Sequence, residues 1–144
     1  MSINTAKDAL QAYFMTKWAA AGYNADHVKI ENVKFPVPDA DTWVGLIIKE
    51  SSEESREFGV TNVNYKHKGM IIVQFFAKAG TGTAAQDTLI DVVSGWLRGE
   101  PVSGYIFTDE PFSVFAGSEN KQGDYQVNVN FPFHYNEQHT LNTA

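Results

Sequence analysis

The chain contains no cysteine, which removes disulfide staples and thiolate chemistry at once and fits a reducing compartment. Basic residues are scarce: eleven Lys and Arg stand against seventeen Asp and Glu, a net charge of −6. A surface of that sign has no footprint for gripping a nucleic acid backbone and repels DNA instead. No apolar run approaches the roughly 18–20 residues that span a bilayer. The start, Met1–Trp18, lacks the basic opening and apolar core of a signal peptide. No internal repeat or low-complexity linker divides the chain.

What is present suits one ordinary domain with a real core. The 144 residues are 43% hydrophobic and 19% charged, far from the composition of a disordered chain. Aromatics make up 13%, generous enough to serve both a core and an interface.

Leu10, Tyr13, Phe14, Trp18 and Ala21 recur at three- and four-residue spacing. That predicts an amphipathic helix capped at Thr5, with Asp8 in capping-box position, and stopped at Gly22. Val28–Ile30 and Val33–Phe35 alternate in opposite parity, so one strand with a bulge near Asn32 is expected, ended by Pro36 and Pro38. Trp43–Lys49 is a second strand. Glu50–Glu57, the most polar segment, reads as a mobile hairpin tip or flap. Phe58–Val60 reads as the start of a short strand, and Asn62–Gly69 as a polar connection with a basic cluster at Lys66, His67 and Lys68.

Met70–Phe76 is the strongest strand pattern and should be central in its sheet. The glycine-rich turn Ala79–Gly82 leads to a helix over Thr83–Leu97, with Thr83 and Gln86 in capping-box spacing. Its buried stripe is Ala85, Leu89, Val92, Val93 and Trp96, and Gly99 and Pro101 close it. Short strands follow at Gly104–Thr108 and Ser113–Ala116, then a turn-rich Gly117–Gly123. Asp124–Phe133 alternates cleanly, with Pro132 marking an edge or an end. The segments 1–4 and 136–144 are expected to fray. The order predicts an α+β fold: a mainly antiparallel sheet with two helices on one face.

Four features invite a chemical reading. Gly80–Ala85 matches the G-x-G-x-x-A form of a dinucleotide-binding turn. Such a site also needs a second parallel strand and a ribose-binding acid, and no strand of that kind follows. His27, His67, His134 and His139 are scattered, without metal-ligand spacing, and read as surface residues. Glu53, Glu54 and Glu57 lack the apolar surroundings that raise a carboxyl pKa. Ser94-Gly95 lies within a helix pattern rather than a nucleophile elbow. No catalytic, cofactor-binding or metal-binding residue is therefore assigned.

One ordered series of segments remains. An amphipathic helix ends in Trp18; Asn32–Phe35 reads Asn-Val-x-Phe; Pro38–Val44 ends in Trp-Val; and an acidic stretch follows. Next come Gly69-x-Ile-x-Val-Gln-Phe-Phe, a small glycine turn, and a helix opening Ala-Ala-Gln-Asp. Tyr125–Phe133 closes the series. In this order, over residues 5–135, the chain resembles the tail terminator proteins of long-tailed bacteriophages, in particular the small minor tail proteins of that type. Where the family carries an arginine shortly before the central glycine, this chain has Lys66 and Lys68.

The resemblance implies a structural virion protein without enzymatic activity. Such proteins form a six-membered ring on the head-proximal end of the tail tube, end tube polymerisation and offer a docking surface to the head's connector. Expected partners are further copies of the chain, the tail tube protein and the head–tail connector. DNA would meet it only in transit, and assembly would take place in the host cytoplasm. Interface residues expected on this reading are Glu53, Glu54, Arg56 and Glu57 together with Tyr65, Lys66 and Lys68. Rival readings are another ring component, either connector or tube subunit, a small nucleotide-binding enzyme, and a monomeric binding module.

Overall fold

A computed structural model describes residues 3–58, 62–102, 106–109, 113–114, 117–121 and 123–140. Helix α1 spans Ile3–Ala20 and helix α2 Ala84–Leu97. The strands are β1 (Val28–Ile30), β2 (Thr42–Phe58), β3 (Asn62–Ala77), β4 (Ile106–Thr108), β5 (Ser113–Val114), β6 (Ser118–Glu119) and β7 (Tyr125–Thr140). They form one seven-stranded sheet in the order β1-β2-β3-β7-β4, with β5 and β6 also paired to β7. Every pairing is antiparallel except β1 with β2. The fold is α+β and β3 is its central strand, as its apolar run predicts.

Burial alternates along each long strand. Val44, Leu46 and Ile48 of β2, Ile71, Val73 and Phe75 of β3, and Val127 through Tyr135 at odd positions of β7 face the helices. Ala6, Leu10, Phe14 and Trp18 of α1 and Leu89, Val93 and Leu97 of α2 close the core above them. The helices meet through aromatic rings: Trp96 packs edge-on against Phe14 and Trp18, at 5.8 and 6.5 Å between centroids. Tyr13 Oη donates to the Trp96 carbonyl at 2.9 Å, and Trp18 Nε1 donates to the Asn24 carbonyl at 2.8 Å. Buried Trp18 and half-buried Tyr13 thereby keep their polar ends satisfied.

Several local expectations change. α1 begins at Ile3, which places Thr5 inside its first turn rather than at the cap. Its end follows the glycine rule: Gly22 has φ +88° and Tyr23 N–H returns to the Trp18 carbonyl. Asn32 adopts φ +57°, so the chain turns off the sheet there instead of bulging and resuming a strand. Thr83 caps α2 by position, with no side-chain hydrogen bond. Gln86, 1% exposed, does not close a capping box; its Nε2 donates to the carbonyls of Phe75 and Tyr125. The inner face of α2 is consequently Gln86, Leu89, Val93, Ser94 and Leu97, while Ala85 is exposed.

The largest departure is in length. Glu50–Glu57 is not a flap and Asn62–Gly69 is not a connection: they pair in register as the outer halves of β2 and β3. From Asn136 the chain continues in β7 as far as Thr140, against Asn62–Lys66. Pairing satisfies the backbone of these polar stretches without apolar burial. Gly59 and Val60 of the short strand expected at Phe58–Val60, 104–105 of the one expected at Gly104–Thr108 and 115–116 of the one expected at Ser113–Ala116 lie outside the described residues. Pro132 sits within β7 rather than at its end, opposite the gap between β4 and β5, where Asp109 N–H reaches the Pro132 carbonyl. A missing N–H on that side removes no ladder bond.

Candidate interaction surface

The apolar core stops at Ile48 on β2, Ile71 on β3 and Tyr135 on β7, yet the strands run on. A 17-residue strand such as β2 spans about 55 Å. A compact body of this chain length is about 35–40 Å across. The outer parts of β2, β3 and β7 therefore overhang the helix-covered sheet as a three-stranded arm.

At its base lies a buried polar cluster. His67, 6% exposed, has its Nδ1 hydrogen-bonded to the Glu50 carboxylate on β2 and its Nε2 3.8 Å from Glu137 Oε1 on β7. Its ring stacks on Tyr135 at 4.6 Å between centroids. One β3 side chain thus ties together all three strands of the arm where apolar packing ends. His67 is not the surface histidine its polar neighbours suggest; alternation with Ile71 and Val73 is the sequence signal for its inward parity. His134, on the opposite face, bonds Asp109 at 2.7 Å and stacks on Phe107.

Register brings the acidic run and the basic cluster together. Glu53 pairs with His67, Glu54 with Lys66, Ser55 with Tyr65 and Ser52 with Lys68. Lys68 is exposed and Lys66 and Tyr65 are half-buried. Alternation puts Tyr65 on the helix side and both lysines on the other. The side chains of Glu53, Glu54, Arg56 and Glu57 and of His139 lie outside the described residues. Two register shifts, at Glu50/Ser52 and Ser55/Glu57, interrupt β2. Such bulges twist a strand and re-aim its side chains.

The Gly80–Gly82 turn joins β3 to α2 with φ +80° and +77°, values that favour glycine. The strand beside β3 on the β4 side is β7, which is antiparallel to it. The adjacent parallel strand of a dinucleotide crevice does not follow this turn. Among the described residues no group of three His, Asp or Glu is placed to hold a metal ion, and no helix is long and apolar enough to cross a membrane.

The molecule so defined is an α+β protein with one sheet, two helices on one face and an overhanging arm. No protein-family model and no curated protein matches the chain. Nine chains of solved structures match it. One superposes with a TM-score of 0.63 at 17% identity, over 90% of this chain and 94% of that one. Likeness at that identity is a likeness of fold.

Proposed function

We propose that the chain is a structural phage protein of the tail terminator type, a ring that caps the head-proximal end of the tail tube. The observation that carries this reading is the arm. A strand pair far longer than its own core needs has surface to offer a neighbour. The ordered series of segments, from the Trp18 helix to the Tyr125–Phe133 strand, supplies the family.

In the ring, head-to-tail contacts close by rotation, and the arm carries Glu53, Glu54, Arg56, Glu57, Tyr65, Lys66 and Lys68 toward neighbouring subunits, tube or connector. The net charge of −6 lets DNA pass without sticking. The protein works by assembly, in the virion, and the reading gives it no catalytic residue and no cofactor. Adding the purified chain to polymerising tube protein tests this directly. Tubes that stop growing, with a ring at one end, support it; tubes that grow at an unchanged rate and stay bare-ended contradict it.

A further inference from the structure

Among the described residues the large hydrophobics left exposed are Val33 and Val37, at 58% and 64%. Both belong to Asn32–Pro38, the segment that leaves the sheet through the Asn32 turn and belongs to no helix or strand. Val33, Phe35 and Val37 share one parity, and Pro36 and Pro38 fall between and after them. Proline is tolerated in an extended segment laid against a sheet edge.

The same sheet has an edge of matching kind. β1 covers β2 only from Val44 to Leu46, and among the described residues nothing pairs with the outer side of β2 from Ile47 onward. Beside that open edge is a cleft of about 400 Å³. Ile30, Leu46 and Ile48 line it together with Lys7, Asp8 and Gln11 of α1. An added strand that continues the line of β1 would bond to the backbone of β2 and seat alternate side chains there. Open edge plus side-chain pocket is the pairing that strand addition uses.

We infer that this cleft and edge take the Val33–Val37 segment of a second copy of the chain. Charge agrees: Lys34 is the one charged residue of Asn32–Pro38, and Lys7, Asp8 and Glu31 leave the cleft lining with one net negative charge. Within one molecule Phe35 and Val37 do not reach the cleft. Phe35 and Val37 flank Trp43 and Phe76 on the helix-free face, whereas the cleft opens under α1 on the other face. Donor and acceptor on opposite faces of one edge give a heterologous contact, the kind that closes a ring. The inference rests on the ring reading and names the contact that builds the ring.

The test is Val33→Asp with Val37→Asp, compared with the unaltered protein by sizing with light scattering and by circular dichroism. Both side chains are exposed, so the expected result is an unchanged spectrum with loss of the oligomer. As a second measurement, Val33→Cys with Gln11→Cys in this cysteine-free chain is treated with a short bismaleimide. Covalent oligomers larger than a dimer are expected from the double variant and none from either single one. An oligomer that survives the aspartates, or a double variant that yields only monomers while the ring persists, overturns this contact and leaves the ring reading standing. Dimers from a single variant overturn the head-to-tail arrangement. An unaltered protein that stays monomeric both in solution and on purified tails overturns contact and ring together.

Discussion

The imidazole of His67 lies flat against the phenol of Tyr135, with planes 3° from parallel. The contact sits where the apolar core gives way to the arm, and it brings Glu50 and Glu137 to the two sides of one ring. His67→Ala should lower the unfolding free energy by about 1–3 kcal/mol, the cost of a lost stack and of a buried hydrogen bond left unmade. Urea denaturation measures it. His67→Phe should recover only part, since it restores a ring and not the partner of Glu50. An alanine variant as stable as the parent would remove the cluster from the account.

Gly69 faces Phe133 across β3 and β7. A Cβ at this glycine would lie 2.5 Å from the Lys49 carbonyl oxygen and closer still to the Phe133 ring, which is 1% exposed and has no room to yield. Gly69→Ala should therefore destabilise by about 1–3 kcal/mol through overpacking. Exposed Gly95, with nothing near its Cβ position, provides the control: Gly95→Ala in α2 should stabilise by roughly 0.5–1 kcal/mol.

Burial raises the phenol pKa of Tyr13 above its ordinary value of 10.0, and the nearby Glu100 carboxylate adds to the effect. With the folded-state value the higher one, the neutral phenol favours the native state. That contribution is complete below pH 10 and is lost as pH rises through the raised value. The thermal midpoint should fall more steeply above pH 10 in the parent than in Tyr13→Phe. Parallel curves for the two proteins would contradict the assignment.

Shortening the arm separates fold from assembly. Removing 54–57 and 64–66 together takes out paired residues of β2 and β3 and leaves His67 and the core in place. The shortened chain should fold, with near-parental circular dichroism, and fail to stop tube growth. Full capping by this variant would exclude the arm as the working surface.

The core was legible in the sequence because its signals are periodic and local. Leu10, Phe14 and Trp18 mark a helix face, and the apolar run Met70–Phe76 marks a central strand. The arm was not, because Glu50–Glu57 has the composition of a solvated loop and its order comes from pairing with Asn62–Gly69. Cross-strand pairing of polar residues leaves no apolar alternation to read. Gln86 shows the same limit: capping-box spacing is a local pattern, and two distant backbone carbonyls outcompete it. Of the residues expected at an interface, register sets Glu54 opposite Lys66, a pairing that the composition of the two segments does not announce. The Val33–Val37 segment was missed because alternating hydrophobics read as a strand until the Asn32 turn takes them off the sheet.

Tail length is the most direct measure of the proposed role. Tails assembled without this chain, viewed by electron microscopy, should carry tubes that run past the normal length and lack heads. Tubes of normal length joined to heads would contradict a terminator, and absence of tubes would make the chain a tube subunit instead.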